Sequence, residues 1–318
     1  MKRWLLALVP ALWLAGCGDT SSSTGLGWLH AAWHAEQTVA WRGELHLAAA
    51  GTSATVEVEA DGHGRQSRLH LDGPCRGLQV ISAGADEWRR QAGGPWTHRT
   101  LPAEAGLSGA ERELQRIAAN YRLTVTRTVD REVGPCVRLD LSPRHSGNPS
   151  RRFWLDATTG QVLRSEQRNH RGKLIAQTQL GQRDLTARPT IVPPPASTEL
   201  HEYPLADLVP SAEPMPLPAW LPPGYRLSAT YARTARSGRQ RPVATFSDGL
   251  NVITLFDRGF GRGRQWRGAG RRGGGQGQCL AQSGDQANVV TLTQPDREWV
   301  AIGDLPERQL RRVVKSIP

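Results

Sequence analysis

Phe153-Trp154-Leu155-Asp156-Ala157-Thr158-Thr159-Gly160-Gln161-Val162-Leu163-Arg164-Ser165 is the stretch on which the fold depends. It reads as a strand up to Asp156, a tight turn at Thr159-Gly160, and a second strand from Val162. A further turn at Arg171-Gly172 carries the chain into another strand. Upstream the same period of two recurs. Val39, Trp41, Leu45 and Leu47 alternate with Arg42, Glu44 and His46, and Val56 and Val58 alternate with Glu57 and Glu59. Leu69 and Leu71, Leu123 and Val125, then Val137, Leu139 and Leu141 repeat the pattern, with Asp61-Gly62 and Asp72-Gly73 as turns between runs. Alternation of this kind predicts a one-faced antiparallel sheet.

Two helical segments interrupt the strands. Trp28, Leu29, Ala32, Trp33 and Ala35 lie near helical spacing, and Leu107, Leu114, Ile117 and Ala118 mark a helix over 108–119, with Ser108 and Glu111 as its capping box. Helices packed on one face of a curved sheet make an α+β first domain. His30 and His34 fall on one face of the first helix. With no third ligand motif nearby and no H-E-x-x-H, they read as solvated histidines, and no metal site is expected.

After Leu185 the composition changes, and prolines crowd residues 189–218. Between two patterned regions such a stretch reads as a stiff spacer before it reads as a ligand for aromatic grooves. Trp220-Leu221-Pro222-Pro223-Gly224-Tyr225-Arg226-Leu227 then opens a second domain, and Phe246-Ser247-Asp248-Gly249-Leu250 is a turn feeding the apolar strand from Asn251 to Phe256. Val289 to Thr293 and Trp299 to Ile302 read as two more strands. A closing helix is predicted with Asp304 and Glu307 as capping box and Leu310, Val313, Val314 and Ile317 as buried stripe. A small sheet on one helix follows.

At these residues the chain resembles a known family. The W-L-D…T-G hairpin with its L-R-S-E strand, the W-L-P-P-G-Y-x-L entry, the F-S-D-G-L turn and the closing G-D-L-P helix resemble, in that order, the RseB/MucB family of sigma-E regulators. The resemblance covers most of the mature chain. It implies a first domain similar to lipoprotein-carrier folds of the LolA/LppX kind, a curved half-barrel whose mouth is covered by helices. It also implies binding of the periplasmic region of a membrane anti-sigma factor, mainly through the second domain, with release by an envelope lipid or lipopolysaccharide. Trp41, Leu45, Val56, Val58, Leu69 and Leu71, or their opposite-face neighbours, are the candidate lining of the lipid cavity. A lipoprotein carrier or lipid-transfer protein is the alternative, distinguished by needing only the first domain. A structural envelope lipoprotein without a ligand is a third reading.

The N-terminus places the chain outside the cytoplasm. Lys2 and Arg3 precede an apolar run from Trp4 to Gly16, and Leu14-Ala15-Gly16-Cys17 resembles the lipobox of bacterial lipoproteins, with Cys17 as the lipidated residue. The run is shorter than the roughly 20 residues that cross a bilayer, so the expectation is an anchor and not a span. A lipid anchor departs from the resembled family, which is mainly soluble in the periplasm. The expected organisation is signal peptide 1–17, tether 18–26, half-barrel domain 27–186, proline-rich linker 187–217 and second domain 218–318.

The formal charge is +11. Export removes nucleic acid as a partner and leaves anionic lipid, lipopolysaccharide or acidic peptide. Arg258, Arg262, Arg264, Arg267, Arg271 and Arg272 around Trp266 form a Gly-rich basic loop, readable as an anionic-partner loop or as a plain solvated one. Its G-x-G-x-x-G match neither follows a strand directly nor opens a helix, so no dinucleotide cofactor is inferred. In an oxidising compartment Cys75 and Cys136 are the candidate disulfide pair, with Cys279 left over. G-x-S-x-G, H-E-x-x-H, a P-loop and a paired-carboxylate site are all missing from the sequence, and nothing in it identifies an enzyme.

Overall fold

The structure is a computed structural model that describes residues 24–49, 51–100, 107–194, 215–234, 240–258, 278–283, 287–294 and 297–318. Its first part comprises α1 (Gly25–Thr38), β1 (Ala40–Ala49), β2 (Thr52–Asp61), β3 (Arg65–His70), β4 (Leu78–Ala83), β5 (Asp86–Gln91), β6 (Thr97–Thr100), α2 (Leu107–Asn120), β7 (Tyr121–Asp130), β8 (Gly134–Pro143), β9 (Ser150–Asp156), β10 (Val162–Arg168) and β11 (Leu174–Asp184). These strands form one eleven-stranded sheet in the order β6-β5-β4-β3-β2-β1-β11-β10-β9-β8-β7. Every pairing in it is antiparallel. Two meanders meet where β1 pairs with β11. The edges β6 and β7 do not pair, so the sheet stays open, and the chain passes from one edge to the other through α2.

The quoted hairpin is β9, a turn, and β10. Thr158 and Thr159 donate their backbone N–H to Asp156 Oδ1 at 2.9 and 2.8 Å, and Gly160 N–H donates to the Asp156 carbonyl at 2.9 Å. Gly160 has φ +76°, and a Cβ there would lie 2.8 Å from the Ala31 carbonyl of α1. Only glycine meets both the left-handed backbone and the close approach of the helix. Arg183 of β11 donates to the second Asp156 oxygen, tying the turn to a third strand.

The helices lie on one face, here called inner. Trp28, Leu29, Ala32 and Trp33 of α1 and Leu114 and Ile117 of α2 pack with Tyr121, Val137, Leu139, Leu141 and Leu155. The α1 helix begins inside the expected tether. Thr24 is its N-cap, with Oγ1 accepting from Gly27 N–H at 3.1 Å, and Gly25 sits where a Cβ would lie 2.5 Å from the Leu123 side chain. The α2 helix begins at Leu107, so the expected cap Ser108, whose side chain lies outside the described residues, falls within its first turn and not before it. On the outer face Trp154 is covered by guanidinium groups, Arg164 at 4.6 Å and Arg152 at 5.5 Å from its ring. No helix among the described residues is long and apolar enough to cross a membrane.

The second part comprises β12 (Arg226–Thr234), β13 (Gln240–Ser247), β14 (Val252–Asp257), β15 (Gln278–Ser283), β16 (Asn288–Thr293), β17 (Glu298–Gly303) and α3 (Glu307–Lys315). The six strands run in the order β12-β13-β14-β17-β16-β15. Leu310, Val313, Val314 and Ile317 bury against Phe246, Ile253, Leu255, Val290 and Trp299, as the apolar stripe predicts. The expected capping box of α3 does not form. The helix starts at Glu307 after Pro306, which occupies the cap position without a side-chain hydrogen bond, and Asp304 is engaged elsewhere. Of the linker, Ile191 is buried and its carbonyl accepts from Arg65 Nη1 at 3.4 Å, while Met215 joins the second core. Residues 195–214 lie outside the described ones.

Burial pushes the Asp156 carboxyl up, but the Arg183 hydrogen bond and the turn N–H groups outweigh it and hold it down at about 2. Asp156→Asn is therefore expected to cost about 1–2 kcal/mol at pH 7. A carboxylate whose folded pKa is depressed stabilises only while ionised. The gap between variant and wild type should thus close as pH falls from about 4 to about 2, read from urea midpoints across that range.

Candidate functional site

The inner face of the large sheet divides into an apolar and a charged region. Leu45 stands opposite Leu180 on one side and Val56 on the other, and Trp41 opposite Ala60. Trp41, Leu45, Val56 and Val58 of the six candidate cavity residues therefore share one face. Leu69 and Leu71 do not. Val56 pairs with His70 and Glu57 with Leu69, so Leu69 points to the opposite face, and Leu71, 40% exposed, follows the strand end beyond it. A cavity lined by all six is excluded by the two-residue period. Val56 and Val58 are 1% and 3% exposed, part of a filled core with Trp41, Ala60 and Leu180.

Next to that core the same face becomes charged. Val58 pairs with Arg68, Arg68 with Val80, and Val80 with Arg89, giving one row across β2 to β5. His70 and Glu87 lie two residues from these arginines and are buried on the same face. From above, Glu36 reaches this row from the end of α1, where the Gln37 carbonyl accepts from Gly64 N–H at 3.0 Å. Burial raises the Glu36 carboxyl to about 7, against the pull of the Arg68 charge. Burial likewise lowers Arg68, opposed by Glu36 and Glu87, and lowers His70, reinforced by Arg68 and Arg89. The sequence showed these residues only as the polar partners of an alternating strand.

The second site is the junction of the two sheets, and it is built around Asp248. This residue is fully buried. Its carboxylate accepts from Tyr121 Oη at 2.6 Å, Asn148 Nδ2 at 3.1 Å, and the backbone N–H groups of Leu250 and Asn251 at 2.9 and 2.8 Å. Asn251 Nδ2 donates to Tyr121 Oη at 2.7 Å, and Asn120 Nδ2 donates to the carbonyls of Asp248 at 2.8 Å and Gly224 at 3.1 Å. Around this centre Ser247 Oγ donates to Glu113 at 2.7 Å, Arg151 to the Leu250 carbonyl at 3.2 Å, and Gln167 to Asp304 at 2.7 Å. Tyr121 is held protonated far above its usual range by burial and by the Asp248 charge, so it serves as a permanent donor. Asp248 and Gly249 were legible as a turn. Their partners were not, because each lies about 100 or more residues away in the chain.

Beside the junction, Arg112, Glu113 and Arg116 of α2 and residues Leu227 to Thr230 of the edge strand β12 line a groove of about 250 Å³. Arg116 donates to the Leu227 carbonyl at 3.4 Å across it.

The remaining candidates are quickly placed. Cys75 and Cys136 are both free. Cys75 follows β3 and Cys136 lies on β8, with β2, β1, β11, β10 and β9 between those strands. Cys136 is buried in the core with Val56 and Val58, whereas Cys75 is partly exposed, and the expected pairing does not form. Arg258 is exposed and bonded to Glu298 at 3.1 Å. Arg262, Arg264, Trp266, Arg267, Arg271 and Arg272 lie outside the described residues, as does Cys17. Among the described residues no cluster of metal-binding side chains occurs.

Neither a protein-family model nor a curated protein sequence matches the chain. Solved structures do. The Pseudomonas aeruginosa MucA/MucB complex superposes with a TM-score of 0.65 at 22% identity, covering 92% of this chain and 98% of that one. The fold is that of MucB. MucB in complex with MucA(peri) gives 0.63 at 21% identity over 92% and 98% of the two chains, and MucB alone gives 0.55 at 22% over 91% and 96%. The likeness to the MucB fold thus extends over both sheets, in agreement with the order of motifs read from the sequence.

Two substitutions separate the junction from ordinary turns. Gly249 has φ +105°, and a Cβ there would lie 2.7 Å from Ile117 N and 2.9 Å from the Glu113 carbonyl. Gly84 has φ +63° with nothing within 4 Å. Gly249→Ala should cost more than about 2 kcal/mol and Gly84→Ala only about 1 kcal/mol, both read by chemical denaturation. Tyr121→Phe, which strips the Asp248 carboxylate of its shortest donor, should cost about 1–3 kcal/mol in the same measurement.

Proposed function

We propose that this chain is an extracytoplasmic, lipid-anchored regulator that binds the periplasmic region of a membrane anti-sigma factor and responds to an envelope lipid or lipopolysaccharide. The observation that carries the reading is the extent of the MucB likeness, 92% of the chain, together with the capture of MucB in complex with MucA(peri). A carrier needs only the large sheet. Here a second sheet is locked to it by a buried hydrogen-bonded carboxylate, an arrangement that supports the two-domain regulator and leaves the carrier reading without a use for residues 215–318. The chemistry of the reading is binding, with the groove between α2 and β12 at the junction as the surface a partner segment would reach first.

The test is titration of the mature chain against the periplasmic segment of a single-span anti-sigma factor from the same genome. Saturable one-to-one binding with a Kd below about 10 μM is expected. No binding to any such segment, together with lipid or lipoprotein retained by the purified chain, would transfer the reading to the carrier. Anchoring is tested separately. Cys17→Ser should move the protein from the membrane fraction to the soluble periplasmic fraction, and mass spectrometry should find acyl chains on the N-terminal cysteine of the wild type alone.

A further inference from the structure

We infer that the groove between α2 and the edge strand β12 is occupied, in the free protein, by the chain's own acidic segment 195–214. This self-contact goes beyond the proposed function and is measured without any anti-sigma factor.

The groove leaves two demands unmet. Strand β12 ends its sheet, with β13 as its single strand neighbour, so the main-chain groups on its outer side have no ladder to join. Helix α2 covers that side in part. Arg116 Nη2 donates to the Leu227 carbonyl at 3.4 Å, and the groove of about 250 Å³ opens beside Ser228, Ala229 and Thr230. The second demand is electrostatic. Glu113, the one carboxylate in the lining, is already engaged by Arg116 at 2.5 Å and by Ser247 Oγ at 2.7 Å. Arg112 is exposed and has no hydrogen-bond or ion-pair partner among the described residues. An uncompensated guanidinium beside an open strand edge suits an extended segment that bears carboxylates.

The chain carries such a segment close by. Residues 195–214 include Glu199, Glu202, Asp207 and Glu213 and neither lysine nor arginine, in a chain whose formal charge is +11. Pro204 and Pro210 act against a helix in this sequence and bias the residues before them, Tyr203 and Val209, toward extended backbone. The place where the segment ends matters as much. Met215 is buried in the second core together with Tyr225, the residue immediately before β12. The segment is thus rooted in the same core as the strand it would lie against. Extended at about 3.3 Å per residue it reaches about 65 Å, so its length does not keep it from the groove. Tethering gives it an effective concentration on the order of 1 mM there, so an intrinsic affinity of only about 0.1–0.3 mM fills the groove in most molecules.

The measurement is backbone hydrogen exchange of the mature chain at low ionic strength. The wild type is compared with a neutralised variant of the same length carrying Glu199→Gln, Glu202→Gln, Asp207→Asn and Glu213→Gln. Strand β12 is expected to exchange at least about 3-fold faster in the variant, while β16 and β17 exchange equally in both. Arg112→Glu in the wild-type background should give the same acceleration. Combining Arg112→Glu with Glu199→Lys, Glu202→Lys, Asp207→Lys and Glu213→Lys should restore the slow rate, which a merely structural effect of either change would not do. A synthetic peptide of residues 197–213 should bind the neutralised variant with a Kd of about 0.1–0.3 mM. It should bind the wild type more weakly, by the same factor by which exchange accelerates, because there the tethered copy competes. Equal β12 exchange in wild type and neutralised variant would overturn the inference and leave the groove to an external partner. Protection that survives neutralisation and grows with protein concentration would overturn it in favour of a second copy. Acceleration shared by β16 and β17 would overturn it as a general loss of stability.

Discussion

A buried carboxylate holds this molecule in one piece. Asp248 is fully buried, and a lone ionised carboxylate in such a place would cost several kcal/mol. The cost is met by donors from both sheets. Tyr121 and Asn148 come from the large sheet, and Leu250 and Asn251 from the turn that Asp248 itself begins. Because donors from both parts solvate it, separating the sheets would leave the charge without Tyr121 and Asn148. Apolar contacts alone would let the two sheets slide over one another, since they lack direction. Hydrogen bonds to a single carboxylate specify a register and an angle.

The position of that carboxylate also explains why α2 matters beyond its own packing. The helix carries the chain between the two edges of the open sheet and ends at Asn120, immediately before Tyr121. Asn120 and Tyr121 are thus placed together by a helix-to-strand transition, one reading the Asp248 carbonyl and the other its carboxylate. Glu113, two turns earlier, accepts from Ser247, and Arg116 reaches Leu227. One face of α2 closes the apolar core through Leu114 and Ile117 while another grips the second sheet. A change that moves α2 would be felt at both the inner face and the junction.

The inner face itself is less uniform than an alternating pattern suggests. Strands β1 and β2 supply Trp41, Leu45, Val56 and Val58, whereas the neighbouring β3 and β5 supply Arg68, His70, Glu87 and Arg89 to the same side. In β3 the apolar residue Leu69 is turned outward, while Gln66, Arg68 and His70 face inward. Hydropathy alone would place that strand the wrong way round; the register of its neighbours places it correctly.

Local chemistry was enough for much of this. Alternation at Val137, Leu139 and Leu141, the Asp156-to-Gly160 turn, the helical spacing from Trp28 to Ala35 and the stripe on α3 all follow from neighbours within a few residues, and the structure contains each. The order of motifs also foretold the two-part MucB fold. Where the sequence misled, a distant contact had overruled a local one. Asp304 abandoned its cap for Gln167, 137 residues away, behind a proline that starts α3 without it. Cys75 and Cys136 remain free thiols, one partly exposed and one buried, and Leu69 is turned outward by register. The buried charges of the inner face and the Asp248 junction belong wholly to tertiary structure. Whether an aspartate or an arginine is solvated by water or by protein depends on which strands become its neighbours, and no local pattern encodes that choice.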